Sequence, residues 1–349
     1  MKRVVVIGGG FAGAYIARRL EKYFSVTLID TKDYFEFTPG ILRTIVHPKH
    51  MKKIQVLHKH YLSQTKFVHG EVKEFTTKEV ILGKKKIPYD YLFVCSGSRY
   101  NMPIKEKNII LPNRGDTLRK AHGAVLAARN ILIVGGGVVG VELAAEIVDF
   151  FPEKEVLLLH GKNVLLERCP VKAQDYVENY LKKRKVEIMY NQRMEKQDGN
   201  LLFTDAGRKI HAELCFLCTG IVPNTDFFQK HFSSSLNDKK QIKVEHTLQM
   251  KGQKTIFVVG DLNDICEEKT AQSAEKQAFV AVQNIFALEK GEKLYSYHTL
   301  PKVMVISLGR FDGILIYKNL TLTGILPALL KGVVEWKTMI HYRFRGIFP

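Results

Sequence analysis

The sequence lacks long apolar runs. None approaches the roughly 20 residues that a membrane-spanning helix needs. No leader precedes the first predicted strand, because Met1, Lys2 and Arg3 lead directly into Val4, and no glycine follows Met1 to accept a myristoyl chain. We therefore expect a cytoplasmic protein that is peripheral at a membrane surface if it contacts a membrane at all.

Cysteine is scarce, and its spacing is uninformative. The five cysteines are Cys95, Cys169, Cys215, Cys218 and Cys266, an odd number without metal-ligand spacing, so we expect neither structural disulfides nor a metal site. Two of them form C-x-x-C within the predicted strand AELCFLCTG. Residues three apart in a strand point to opposite faces, which argues against a shared metal or a dithiol.

Acidic residues are also in short supply. The chain of 349 residues has 35 Asp and Glu against 53 Lys and Arg, which gives a net charge of +18. Such a charge attracts acidic lipid headgroups, nucleotides or nucleic acid, although a well-solvated, lysine-rich surface is an equally open interpretation. The length suits roughly two to three domains, and 46% hydrophobic residues is an ordinary globular composition.

What the chain does contain is a G-x-G-x-x-G motif in two copies, VVVIGGGFAG at residues 4–13 and ILIVGGGVVG at residues 131–140. Each follows four β-prone apolar residues and opens a helical pattern, which is the context of a dinucleotide site at a helix N-terminus. The three glycines make a tight turn, admit a pyrophosphate and let helix pack on strand. They are Gly8, Gly10 and Gly13 in the first copy and Gly135, Gly137 and Gly140 in the second. The duplication predicts two dinucleotides.

The residue at the end of the following strand differs between the copies. The first strand ends VTLID, and Asp30 is placed to accept hydrogen bonds from an adenosine ribose. The second ends VLLLHGK, so His160 stands at the equivalent position, with Lys162 nearby and no acid. Because no acid stands there, the position is compatible with the 2′-phosphate of NADPH. It is equally compatible with His160 being a strand-end residue that makes no cofactor contact.

The order of elements predicts an α/β fold with two Rossmann-type domains, the second inserted in the first, and a small C-terminal α+β domain. Apolar strands stop at Ser96-Gly97 and again at Thr219-Gly220, so the two halves share a plan. A strand ending at Gly260-Asp261 and a helix opening near Thr270 indicate the return to the first domain. The predicted ranges are 1–110 with 234–290, 111–233 for the insertion, and 291–349 for the C-terminal domain.

The tail mixes apolar, aromatic and basic residues. Lys331, Lys337 and Arg343 are interleaved with apolar side chains such as Leu326 and Trp336. The mixture suits a membrane interface, and it also suits packing of a C-terminal domain on the body of the protein.

Several segments resemble a known family. The two glycine motifs, YDYLFVCSGS, CTGIVPNT and IFVVGDLND are similar to the two-dinucleotide flavoprotein oxidoreductases over residues 1–288. Within that group, LIDTKDYF, GILRTIV, GGGVVGVELAAEI, PEKEVLLLHG, SLGRFDG and EWKTM resemble the ferroptosis-suppressor and apoptosis-inducing-factor-like branch, with type II NADH dehydrogenases next. The resemblance implies FAD on the first site, NADH or NADPH as substrate on the second, and a quinone as acceptor at a membrane surface.

The resemblance also implies site residues. Asp261 would bind the FAD ribityl chain, Arg43 and the backbone of Val72 would flank the cofactor, and Glu142 would position the nicotinamide. Lys331 matches a functional lysine of the branch. The alternatives are helix-dipole complementation for Glu142 and a solvated tail lysine for Lys331. The remaining predicted cofactor-binding residues are Gly9, Phe11, Ala12, Gly97, Gly220 and Thr270, whose helix would face the flavin.

The chain departs from its relatives in ways that bear on the acceptor. AQSAEK retains Gln272 of the dehydrogenases' A-Q-x-A-x-Q pattern but has Lys276 in place of the second glutamine. FTPGILRTI stands where disulfide reductases carry a cysteine pair, so we do not expect disulfide reduction. Besides quinone reduction, two activities remain open: reduction of a soluble carrier such as ferredoxin or rubredoxin, and redox-sensitive nucleic-acid binding, for which we find no motif.

Overall fold

The structure is a computed structural model that describes residues 1–100, 114–299, 301 and 303–344. The predicted domain boundary at residues 110–111 and the end of the predicted C-terminal domain, residues 345–349, lie outside the described residues.

The first part of the chain builds the first nucleotide fold. Its strands and helices are β1 (Arg3–Ile7), α1 (Phe11–Leu20), β2 (Ser25–Asp30), β3 (Tyr34–Glu36), α2 (Ile41–Val46), α3 (Met51–Ile54), β4 (Gln55–Leu57), α4 (His58–Tyr61), β5 (Lys66–His69), β6 (Glu74–Phe75), β7 (Glu79–Leu82), β8 (Lys85–Pro88), β9 (Tyr91–Val94) and β10 (Ser98–Arg99). Short 3₁₀ turns lie at Thr38–Gly40 and Pro48–His50.

The inserted fold repeats this plan. Its elements are α5 (Arg114–Ala127), β11 (Asn130–Val134), α6 (Val138–Phe150), β12 (Glu155–Leu159), α7 (Val171–Lys183), β13 (Glu187–Met189), β14 (Met194–Asp198), β15 (Leu201–Thr204), β16 (Lys209–His211), β17 (Leu214–Leu217) and β18 (Val222–Pro223). The segment after β18 contains α8 (Gln229–Phe232) and 3₁₀ turns at Asp226–Phe228 and Ser233–Ser235. The strands β13-β12-β11-β17 form a parallel sheet. Its apolar strands are largely buried, because helices pack on one face and the antiparallel strands β15 and β16 pack on the other.

The chain then returns to the first fold through β19 (Ile256–Val258) and α9 (Ala271–Lys290). The parallel sheet of the first fold has the order β19-β9-β1-β2-β5, in which Phe257 pairs with Phe93 and Val6 with Leu28. Because β19 comes from beyond the insertion, the predicted insertion of one Rossmann-type domain in another is confirmed.

The return occurs earlier than the sequence suggested. Phe227, Phe228 and Phe232 pack against Phe75 in the core of the first fold. Residues just before the predicted boundary at residue 233 therefore already pack against the first fold. The segment that carries these three phenylalanines has no strong hydrophobic periodicity, so its sequence did not predict that they pack against Phe75.

The described residues of the C-terminal domain form one antiparallel sheet and one helix. The sheet consists of β20 (Val303–Leu308), β21 (Asp312–Tyr317) and β22 (Leu320–Thr323), and α10 (Ile325–Arg343) packs on β20 and β21. Only Pro327, Met339 and Tyr342 of α10 are buried. Within the described ranges, no helix is both long and apolar enough to cross a membrane.

Candidate functional site

One large cavity lies between the two nucleotide folds and the C-terminal domain. Its volume of about 2410 Å³ exceeds the roughly 300–1,000 Å³ of a pocket for one small ligand. Most of the predicted site residues line it: Gly8, Gly9, Gly10, Phe11, Ala12, Asp30, Val72, Gly97, Gly135, Gly137, Glu142, His160, Gly220, Asp261, Thr270 and Lys331. Folding thus brings together residues that the sequence only suggested were related.

The two glycine turns have matching geometry. Gly8 and Gly135 adopt φ values of +95° and +115°, and a Cβ on either would lie 2.4 Å from a backbone carbonyl oxygen. At Gly13 and Gly140 a Cβ would lie 1.8 Å from the carbonyl oxygen of the first glycine of the same motif. Neither Gly13 nor Gly140 lines the cavity, so both have the packing role that the motif predicts.

The middle glycines face open space. Gly10 and Gly137 begin α1 and α6 without a side-chain cap, and a Cβ on either would meet nothing within 4 Å. Both line the cavity, at helix ends whose free N–H groups and partial positive charge suit a phosphate. Each motif therefore has room and donors for a pyrophosphate, which satisfies the first requirement for dinucleotide binding.

Asp30 is a buried carboxylate at the first site. Its Oδ2 accepts from the Gly9 N–H at 2.5 Å, and its Oδ1 accepts from the Lys32 N–H at 3.1 Å. Burial by itself raises the pKa of Asp30, but the charge of Lys32, together with His58 and the Gly9 N–H, outweighs it and holds the pKa well below its usual range. The group is therefore an ionised acceptor at neutral pH, as binding of ribose hydroxyls requires.

His160 takes the same place at the second site. Its Nδ1 accepts from the Gly136 N–H at 3.1 Å, just as Asp30 accepts from Gly9. Burial lowers the pKa of His160, so the ring is neutral near pH 7. With Nδ1 as acceptor, the proton is on Nε2, which is buried near the backbone of Val164. The second site thus has a neutral imidazole ring where the first has an anion.

Further side-chain contacts at the first site come from the return segment. Asp261 accepts from the Ser98 hydroxyl at 2.5 Å, which fixes the carboxylate on the cavity wall. Thr270 caps α9, because its side chain accepts from the Ser273 N–H at 3.1 Å. The α9 N-terminus therefore faces the cavity with ordered geometry, as we expected from the sequence.

Glu142 and Lys331 form an ion pair across two domains. The Lys331 ammonium donates to Glu142 Oε1 at 2.5 Å and to the Ser307 hydroxyl at 2.9 Å, and the Ser307 N–H donates to the same carboxylate oxygen at 2.8 Å. The two side chains are only 8% and 18% exposed. Lys331 is thus not a solvated tail lysine. Glu142 Oε2 has no hydrogen bond to any described residue.

Comparison with known proteins gives the family. The sequence model described as pyridine nucleotide-disulphide oxidoreductase matches residues 2–281. Apoptosis-inducing factor homolog B of Dictyostelium discoideum is 32% identical over 90% of this chain and 89% of its own length. The chain belongs to the pyridine nucleotide-disulphide oxidoreductase family.

Other similarities extend over the full length of this oxidoreductase. Human ferroptosis suppressor protein 1 is 29% identical over 96% of this chain and 95% of its own. NDH2 of Plasmodium falciparum, solved with NADH, has a TM-score of 0.83 at 16% identity, covering 98% of this chain and 96% of its own. The sulfide:quinone oxidoreductase of Aquifex aeolicus has a TM-score of 0.82 at 18% identity, covering 98% and 92%. At these identities the two structures establish the fold, including the C-terminal sheet and helix.

Arg43, which the resemblance implied would flank the cofactor, makes its hydrogen bonds between domains. Its guanidinium pairs with Glu146 at 2.7 Å and donates to the Gly309 carbonyl at 2.8 Å, and it does not line the cavity of the oxidoreductase. Glu146 is buried on α6, so it draws Arg43 toward the inserted domain. Arg43 thus joins all three domains.

The family is named for a disulphide, but the described residues of this chain form none. All five cysteines are free, and Cys215 and Cys218 pack on opposite sides of the inserted sheet, as expected from their spacing in a strand. Burial raises the pKa of both thiols, which further disfavours thiolate chemistry.

Sequence reasoning missed several polar residues of the cavity. They are Ser98, Lys269 and Glu275. It also missed Ser307, which does not line the cavity but contacts Glu142, which does. Ser98 and Ser307 lie within motifs quoted for the family, so their positions carried a signal. Lys269 and Glu275 carried none, because a buried charged residue is not distinguishable from a surface one by composition or spacing.

Proposed function

We propose that this oxidoreductase holds FAD at the first site, oxidises NADH or NADPH at the second, and reduces a quinone at a membrane surface. FAD supplies hydride acceptance and subsequent electron transfer when it is bound. The Asp30 carboxylate, the open face of Gly10 and Asp261 would hold it. Members of the family bind FAD and use NAD(P)H, and the residues of the cavity fit both groups.

Glu142 would orient the nicotinamide. Lys331 and Ser307 hold one carboxylate oxygen, and Oε2 remains available to a carboxamide N–H of a ligand in the cavity. The same contacts fix β20 and α10 against α6. The ion pair therefore both shapes the binding surface and keeps the C-terminal domain closed over it.

A single helix, α10, carries the argument for a lipid-soluble acceptor. It leaves one apolar face exposed, formed by Leu326, Leu329, Leu330, Val333, Val334 and Trp336. Leu326 is 74% exposed and Trp336 66%. Their spacing of three and four residues places them on one side of the helix. Leu330 and Val334 also line the cavity, so this apolar face is continuous with the entrance to the site.

The test is to remove the exposed face without touching the cavity. A variant with Leu326→Ser, Leu329→Ser and Val333→Ser changes exposed residues that do not line the cavity. Each apolar side chain contributes about 1.5–3 kcal/mol when fully buried, so vesicle binding should fall at least about a hundredfold. Turnover with a long-tailed quinone in anionic vesicles should fall with it, and turnover with a soluble dye should not.

A Val171→Ser variant controls for loss of an exposed apolar residue elsewhere, because Val171 is 67% exposed on α7. Equal losses with quinone and dye would show that the α10 face serves folding. Unchanged vesicle turnover combined with steep salt inhibition would favour an acidic soluble carrier as acceptor. A protein that binds no flavin and oxidises neither pyridine nucleotide would refute the proposal altogether.

A further inference from the structure

Glu275 is a carboxyl group that the proposed function has not used. Glu275 is the fifth residue of α9, lines the cavity and is partly buried. From α10, Lys337 and Tyr342 line the same region, and Tyr15 does so from α1. Glu275 is thus on the wall where the first fold meets the apolar helix of the C-terminal domain.

The carboxylate of Glu275 has no hydrogen bond or ion pair to any residue that the structure describes, in contrast to other buried acids. Glu21 accepts from the backbone and hydroxyls of Ser63 and Thr65, for example. Structural carboxylates are satisfied in this way because an unpaired buried charge is costly. An unpaired carboxyl group facing a cavity is instead available to a ligand.

The surroundings of Glu275 favour a carboxyl group that gains and loses a proton near neutrality. Burial raises its pKa to about 7, although the charge of Lys337 acts in the opposite direction. Burial raises the pKa of Tyr342 of α10, and Tyr342 is close enough for the charge of Glu275 to raise the pKa of its hydroxyl further. Two groups of α1 also act on the pKa of Tyr342: Arg18 lowers it and Tyr15 raises it. Lys276, next to it on α9, is exposed and lies over Phe279, so it points elsewhere.

We propose that Glu275 delivers the solvent proton that quinone reduction consumes. The inference rests on the proposed function. NAD(P)H supplies a hydride, which carries two electrons and one proton. A quinone needs two electrons and two protons to become a quinol, so each turnover takes one further proton from water. An apolar acceptor in the cavity excludes that water. The O–H bond of Glu275 breaks, an O–H bond forms on the quinone oxygen, and the carboxylate then regains a proton from solvent at the cavity mouth.

The test compares two acceptors in the FAD-loaded protein. Quinone needs a proton, whereas ferricyanide takes electrons alone. A Glu275→Gln variant keeps the size of the side chain but carries no proton, so reoxidation of the reduced protein by quinone should slow by about 10²–10⁴-fold. Reoxidation by ferricyanide should change less than about twofold. In the wild type the quinone step should decline as pH rises through about 7, and this dependence should vanish in the variant.

A second measurement does not depend on turnover. The infrared carboxyl stretching band should show a group that titrates near pH 7 in the wild type and is missing in Glu275→Gln. Glu275→Asp should restore part of the quinone rate. Glu292→Gln, at an exposed position just beyond α9, is the matched control and should leave both rates and the band unchanged.

The outcomes separate the inference from the proposed function. If the wild type reduces quinone and Glu275→Gln does so equally well, or slows ferricyanide to the same extent, the role of Glu275 is wrong and quinone reduction stands. The inference is also overturned if no carboxyl band titrates near neutrality. If the wild type reduces no quinone at all, the proposed function fails and the inference fails with it.

Discussion

Breaking the Lys331–Glu142 pair should loosen the C-terminal domain. In a Lys331→Met variant the Glu142 carboxylate keeps its bonds to Ser307 but loses its cation while remaining 8% exposed. Removing one partner of a buried pair costs about 3–5 kcal/mol. Lys331 is 18% exposed, so some solvation remains and we expect the lower end, about 3 kcal/mol.

Hydrogen exchange of the α10 amides measures this cost directly, because a protein of several domains has no single free energy of unfolding. A loss of about 3 kcal/mol corresponds to exchange more than about a hundredfold faster. Saturating FAD must be present in every sample, since ligand binding shifts apparent stability. Exchange of the amides in β1 and β2, far from the pair, should stay near the wild-type rate.

The matched comparison is the double variant Glu142→Gln with Lys331→Met. Glutamine retains an acceptor for the Ser307 N–H and removes the unpaired charge, so protection of α10 should recover toward the wild type. A double-mutant cycle then gives the coupling energy between the two residues, which we expect to be about 1–3 kcal/mol. If Lys331→Met exchanges no faster than the double variant, the carboxylate gains nothing from its cation and the reasoning is refuted.

Three further predictions concern the other titratable groups. Asp30→Asn should weaken FAD binding by roughly tenfold or more, because a hydrogen bond to a charged group contributes about 1.5–3 kcal/mol. The control is Asp33→Asn, which changes an exposed acid. Undiminished flavin absorbance of the purified Asp30→Asn protein would contradict this prediction. His160→Asp should shift the ratio of kcat/KM values from NADPH toward NADH, since a carboxylate repels a 2′-phosphate and binds a ribose hydroxyl as Asp30 is expected to do, while His160→Asn should not produce that shift. The pKa of Glu275 is raised from 4.5 to about 7 in the folded protein, so its ionisation destabilises the fold as pH rises across that range. Above pH 7, Glu275→Gln should therefore be more stable than the wild type by at most about 3 kcal/mol. Equal melting temperatures of the two proteins near pH 8, measured by calorimetry, would argue against a buried carboxyl at this position.

The sequence determined the local architecture of both nucleotide sites. A glycine at the first position of each motif is required by φ values of +95° and +115°, and one at the third by a carbonyl oxygen in the same turn. The contact of the third glycine is with the first glycine of the same motif, so it is local in the chain. Asp30 and His160 were predictable for a related reason, because a strand next to the motif brings its end beside the turn.

Only the tertiary structure decided how the domains join and what shares the cavity. Lys331 and Glu142 are 189 residues apart, and Arg43 and Glu146 are 103 apart. No local sequence pattern predicts such pairs. They form because a charge left unpaired between buried surfaces is costly, and those surfaces exist only after folding. For that reason the sequence did not predict that Arg43 joins the three domains or that Phe227 packs against Phe75. Nor could Glu275 be distinguished from a surface acid until α10 was folded beside it.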